Sequence, residues 1–238
     1  TRVPGELQAD MVSPVLGYDD IPELQEVARA ARRAGCRATP DCGMHCHIDG
    51  AAFDGRTLAN LAKMVYKQEP LILPALGVSE ARLQRYTRPI DDEFIRRIEA
   101  ARPRTTDELN PLWYGQRTTN PEHYHRSRYS GVNLHSYWYR NTLEFRWFHG
   151  TTHAGEVKAY VQFCLAIAAK ALNARAVSSR KREFSATSAK YDFRCWLLRL
   201  GLIGEEFKTA RLHLMANMPG SAAWKNGRPQ APAASNVA

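Results

Sequence analysis

The stretch Cys42-Gly43-Met44-His45-Cys46-His47-Ile48-Asp49-Gly50, with Thr142-Leu143-Glu144-Phe145-Arg146 far downstream, constrains this chain more than any other part of it. In an extended backbone successive side chains point to opposite faces. His45, His47 and Asp49 therefore share one face, and Met44, Cys46 and Ile48 the other. The second stretch repeats the arrangement: Arg140, Thr142, Glu144 and Arg146 lie on one face, Tyr139, Leu143, Phe145 and Trp147 on the other. Two strands of this kind predict a sheet with one side packed and the other lining a charged cleft.

A chain of 238 residues is long enough for one domain with a sizeable core, plus an extension. Its 44% hydrophobic and 24% charged residues are those of an ordinary globular protein. No apolar run reaches the length of a membrane span, since Lys158, Gln162 and Lys170 interrupt the most apolar segment, 157–172. The chain opens Thr-Arg-Val-Pro without an initiating Met or a signal-peptide pattern, as a fragment or a processed product would. Five cysteines, an odd number in a chain of this size, read as reduced thiols in a cytoplasm. The net charge of +9 suits an acidic partner such as nucleotide phosphates or a carboxylate. Nucleic acid is not the expected partner, because the arginines are spread over helical faces and a late Ser179-Arg180-Lys181-Arg182 cluster without a binding motif.

Along the chain, residues 7–16 read as a strand. Asp19 and Asp20 precede a helix from Ile21 to Ala34, stopped by Gly35. A second helix is expected over 55–66. Residues 70–118 read as an inserted helical layer, with starts of the capping type at Ser79 and Thr105. Thr118 to Arg128 is a polar loop carrying His123 and His125. Val132–Tyr139 and Thr142–His149 read as consecutive strands joined at Arg140-Asn141. A long buried helix follows over 155–176, then two helices near 187–200 and 204–216, and a tail expected to be disordered from 217 to 238. The domain division is therefore 1–177, 178–216 and 217–238.

Three chemistries compete for the focal residues. A structural zinc site drawing on Cys36, Cys42, His45, Cys46 or His47 lacks a second ligand pair at comparable spacing. A nucleophilic Cys46 is turned away from both histidines by strand geometry. A hard-cation site would use carboxylate and imidazole to hold Mg²⁺ or Mn²⁺ against phosphates, with an arginine facing the transferred group. Glu144, Arg146, His45 and His47 supply those groups. Spacing alone leaves open the plainer alternative, a surface Glu144–Arg146 ion pair with bystander histidines.

The ordered set of motifs goes further. Gly43-Met44-His45-Cys46-His47 resembles the Gly-x-His-x-His strand of glutamine synthetase, and Leu143-Glu144-Phe145-Arg146 its Glu-x-Arg strand. Met11 to Leu16, Asp19-Asp20-Ile21, Ser127-Arg128-Tyr129, Asn133 to Ser136 and Thr142 to Lys158 resemble, in the same order, the amidoligase family. That family belongs to the carboxylate–amine ligases with the glutamine synthetase and glutamate–cysteine ligase fold. The resemblance covers about residues 9–175. It implies an ATP-dependent ligase that forms an amide or isopeptide bond through an acyl phosphate, with Mg²⁺ or Mn²⁺. His45, Glu144 and Asp10 would hold the metal. His47 and Arg146 would contact phosphate, and these two with Glu144 would form the catalytic set. Asn133 and His135 are nucleotide-contact candidates, and Arg128 and Arg140 substrate-contact candidates. The partners implied are a small-molecule or peptide carboxylate and an amine, and an oligomer stays open.

The expected fold is α+β: a curved, mainly antiparallel sheet with helices on its outer face and the cleft on its inner face. The family's usual first strand, Gly-x-Glu-x-Glu, has no counterpart before Asp10. We therefore expect this fold without its N-terminal strand, and the competing expectation is a non-catalytic relative acting as a binding or scaffold module.

Overall fold

The computed structural model describes residues 9–227. Residues 9–16 form no regular element, and Val12 and Val15 stand exposed, so the strand expected over 7–16 is not formed across its described part. Pro14 removes a ladder donor and restricts Ser13. Helix α1 (Ile21–Arg33) begins with Pro at its first turn, as its acidic entry predicts, and packs on the later helix 154–173 through Ala28. Strand β1 (Gly43–Asp49) follows.

Helix α2 (Gly55–Ala75) starts on Asp54, whose carboxylate accepts the Thr57 amide at 2.7 Å. It outruns the 55–66 expectation and continues through Pro70 and Pro74. Prolines usually break a helix interior. Here burial of Leu58, Leu61, Val65, Leu71, Ile72 and Ala75 outweighs that cost. The Arg182 amide also braces the same turns by donating to the Lys67 carbonyl at 3.0 Å. The expected helical layer is present as α3 (Glu80–Arg85), α4 (Asp92–Ala101) and α5 (Thr106–Tyr114), with Ser79 and Thr105 as N-caps.

The strand expected over Val132–Tyr139 is largely overturned. Only β2 (Val132–Asn133) is extended, and His135–Arg140 is a helical turn, α6, closed by Asn141 in the left-handed region. The aromatic run favours a strand by composition. Helical spacing instead places His135 and Tyr139 on one face, where their rings stack 5.9 Å apart. Strand β3 (Thr142–His149) then pairs antiparallel with both β1 and β2, giving an open three-stranded sheet of order β1-β3-β2.

The sheet register contains an irregularity that simple alternation misses. Cys46 pairs with Phe145 but Met44 with Phe148, so β3 carries one extra residue opposite His45. This bulge lets the adjacent residues Trp147 and Phe148 both meet helix α7 (Ala154–Asn173), Trp147 against Phe163 and Phe148 stacked on Tyr160 at 4.3 Å. Leu143, Phe145 and Cys46 join the same core with α2 and α7. Helices α8 (Ala189–Arg199) and α9 (Lys208–Leu214) complete it, shorter than expected, with Phe193 and Trp196 against Phe163. The tail expectation needs correction over 217–227: Met218 is buried in the core and Asn217 donates to the Ala75 carbonyl. Residues 228–238 lie outside the described residues. Among the described residues, no helix is long and apolar enough to cross a membrane.

Candidate functional site

On the face of the sheet opposite α7, the register sets His47 and Asn133 on either side of Glu144. Glu144 is 4% exposed, and every strand around it contributes a partner. Its Oε1 stands 2.6 Å from Arg146 Nη1, 3.3 Å from His45 Nδ1 and 3.5 Å from His47 Nε2. Its Oε2 accepts from Asn133 Nδ2 at 2.5 Å. Burial works to raise this carboxyl, but His47, the Arg146 charge and Asn133 together hold it down to about 2. His45 is pushed down to about 4 by burial and by Arg146, with Glu144 opposing. At neutral pH the centre is thus one carboxylate, one guanidinium and an uncharged His45. His47 is fixed from behind by Thr142, Oγ1 to Nδ1 at 2.9 Å.

These residues form one end of a cleft of about 140 Å³, lined also by His123, Arg128, His135, Ser136, Tyr139 and Arg140. Such a volume is below the roughly 300 Å³ at which pockets for drug-sized ligands begin, so a larger ligand would set only an anionic part of itself between these side chains and leave the rest outside them. The far wall is a ladder of rings: His123 stacks on Tyr139 at 4.9 Å and Tyr139 on His135. Tyr114, its phenol pushed up by burial, bonds His135 Nδ1 at 2.7 Å. Arg128 is held by the His123 carbonyl and lies over the Tyr124 ring. Arg140 lies over Tyr139, with Nη2 3.5 Å from His123 Nε2. Neither arginine has a carboxylate partner among the described residues. With Glu144 already paired, the cleft therefore presents unneutralised positive charge. Asn133 Oδ1 is a buried acceptor without a donor among the described residues.

Of the residues singled out in the sequence, His45, His47, Arg128, Asn133, His135, Arg140 and Glu144 line this one cleft, and Arg146 pairs with Glu144 at its floor. Asp10 is exposed in the irregular stretch before α1 and is not a lining residue. His123, Ser136 and Tyr139 were not singled out as site residues. The four-residue spacing from His135 to Tyr139 was the available signal, hidden by reading that segment as a strand.

A metal fits this donor set only under one condition. Among the described residues no group of three or more His, Cys, Asp or Glu side chains is arranged to hold a metal ion. Glu144 is, among the described residues, the one carboxylate of the cleft and is occupied by Arg146 and Asn133. Mg²⁺ tolerates a single protein carboxylate when phosphates and water complete its octahedron. The site thus suits a cation that arrives carrying most of its ligands.

The family model described as "Putative amidoligase enzyme" matches residues 3–168, a span that includes every residue lining the cleft. No curated protein and no solved structure matches the chain.

Proposed function

The chain belongs to the amidoligase family, and on that premise we propose that it is an ATP- and Mg²⁺-dependent carboxylate–amine ligase with a glutamine-synthetase-like catalytic fold. The observation that carries the reading is a buried carboxylate, Glu144, paired with Arg146 in a cleft whose other ionisable lining groups, among the described residues, are arginines, histidines and Tyr139.

In this reading a substrate carboxylate oxygen attacks the γ-phosphorus of ATP and ADP leaves, giving an acyl phosphate. An amine then attacks the acyl carbon, loses a proton as the C–N bond forms, and inorganic phosphate departs. Arg146 and His47 face the transferred phosphoryl group, where negative charge develops on the equatorial oxygens. Arg128 and Arg140 hold the acidic substrate at the other end of the cleft, which is a small molecule or a peptide. Asn133 and His135 contact the nucleotide side. When bound, Mg²⁺ would be held by Glu144 and His45 and would neutralise phosphate charge. Asp10 is retained as a second carboxylate candidate only if the stretch before α1 closes on the cleft.

The test is calorimetric binding of ATP with and without Mg²⁺, in the wild type and in Glu144→Ala. Metal-dependent binding that disappears in the variant is expected. An absence of binding in the wild type sinks the enzyme reading and favours a binding module, for which the full pairing of Glu144 by Arg146 already speaks.

A further inference from the structure

Arg82 belongs to α3, outside the cleft, yet it is only 4% exposed and pairs with no carboxylate among the described residues. Its guanidinium serves main-chain oxygens instead. Nη1 donates to the Cys42 carbonyl at 3.2 Å, and Nη2 to the Phe148 carbonyl at 3.1 Å and the Arg146 carbonyl at 3.4 Å. A buried cation without a counter-ion is costly, and Nε has no partner among the described residues. Burial and the nearby Arg146 charge both push this guanidinium's pKa down.

The location explains why the cost is tolerated. Arg146 and Phe148 flank the extra residue of β3, and Cys42 leads directly into β1. A bulge breaks the local ladder, and Arg82 adds donors on both sides of it: to the Arg146 and Phe148 carbonyls of β3, and to the Cys42 carbonyl just before β1, which also accepts the Gly150 amide at 2.9 Å. Space for it exists because residue 43 is glycine: a Cβ there would stand 2.8 Å from Nη2 and 3.4 Å from Nη1. An ammonium cannot replace this fork, since only a planar guanidinium reaches several fixed acceptors in different directions at once.

We infer that Arg82 is a positioning residue for the cleft: it holds the β3 bulge in the register that sets Arg146 beside Glu144 on the cleft face. Through it the helical layer, which contributes no strand, controls the presentation of the anion-handling groups. The inference rests on the reading of Arg146 as a phosphate contact.

The experiment measures binding of inorganic tripolyphosphate to the full chain by calorimetry, well below the melting temperature. Arg82→Lys is expected to weaken binding at least ten-fold. Gly43→Ala, which displaces the guanidinium without changing any charge, should act in the same direction and serves if Arg82→Lys does not fold. Leu109→Ala, a core truncation in α5, should lower the melting temperature and leave the affinity unchanged, which separates positioning from general stability. Methylguanidinium added to Arg82→Ala should restore binding. Loss of binding in Arg146→Ala with wild-type affinity in both Arg82→Lys and Gly43→Ala overturns the inference and leaves the function standing. Failure of the wild type to bind, or unchanged binding in Arg146→Ala, overturns the phosphate reading and the inference with it.

Discussion

Two carboxyl groups are buried almost equally in this molecule and are handled in opposite ways. Glu69, in the middle of α2, is 3% exposed, and Glu144, on β3, is 4% exposed. Glu69 Oε1 accepts the Ile90 amide at 2.8 Å, while Oε2 has no partner among the described residues. Burial pushes Glu69 up to about 7, with the Ile90 bond and the Lys181 charge opposing. Glu144 has a guanidinium, an amide donor and two imidazoles around it and is held at about 2. Burial alone therefore does not decide ionisation; the supply of donors does. Glu69 clamps the loop between α3 and α4 through the Ile90 amide, while Glu144 sits where a ligand can exchange partners with it.

The largest expected effect that sharpens this contrast is Arg146→Met. It leaves Glu144 buried and uncompensated, and urea unfolding should show a loss of about 3–5 kcal/mol. A loss under about 1 kcal/mol would mean that the pair behaves as a solvated one.

Next comes the pH dependence of the metal-free protein. The folded pKa of Glu144 is depressed, so its contribution is complete above the unfolded value near 4.5 and is lost as pH falls toward 2. The folded pKa of Glu69 is raised, so its contribution is complete below 4.5 and is lost as pH rises to about 7. Each span corresponds to about 3 kcal/mol, with slopes of opposite sign. His45, depressed to about 4, adds to the acid-side loss as pH falls below 6.5. Between pH 4.5 and 6.5 the Glu69 and His45 slopes oppose each other, so melting temperatures should be nearly flat there in the wild type and should rise with pH in Glu69→Gln, where only the His45 slope is left. A profile as flat in that variant as in the wild type would contradict the assignment.

A smaller effect separates the two carboxyls at fixed pH. At pH 5 Glu69→Gln should cost less than about 1 kcal/mol, because a neutral amide replaces a neutral acid, whereas Glu144→Gln leaves a buried guanidinium unpaired and should cost about 3 kcal/mol. Equal losses in the two variants would erase the distinction. Smallest of all, Arg140→Ala should change stability by under about 0.5 kcal/mol while weakening binding of a small dicarboxylate such as succinate several-fold. Unchanged binding would remove Arg140 from the site.

The two regions also differ in how legible they were. Period-two alternation exposes His45, His47, Glu144 and Arg146, because a strand writes its two faces directly into the sequence. The extra residue in β3 is invisible to that rule, since Trp147 and Phe148 are both apolar and either could have faced the core. Glu69 and Arg82 were unreadable for a different reason. In a helical layer rich in charge, a buried acid or base looks the same as one on a solvated face, and the partner that distinguishes them is distant in sequence. Helix α6 was missed because an aromatic run favours a strand locally and only its stacking on His123 favours the helix.

The packing of Phe193 and Trp196 on Phe163 carries a practical consequence. The span that matches the family ends at residue 168, inside α7, yet the aromatic cluster beneath the cleft is closed by α8, well beyond it. The inherited unit and the cooperative unit therefore differ. A chain shortened near residue 177 would keep every cleft residue and expose the underside of α7, so it would aggregate before its chemistry could be assayed.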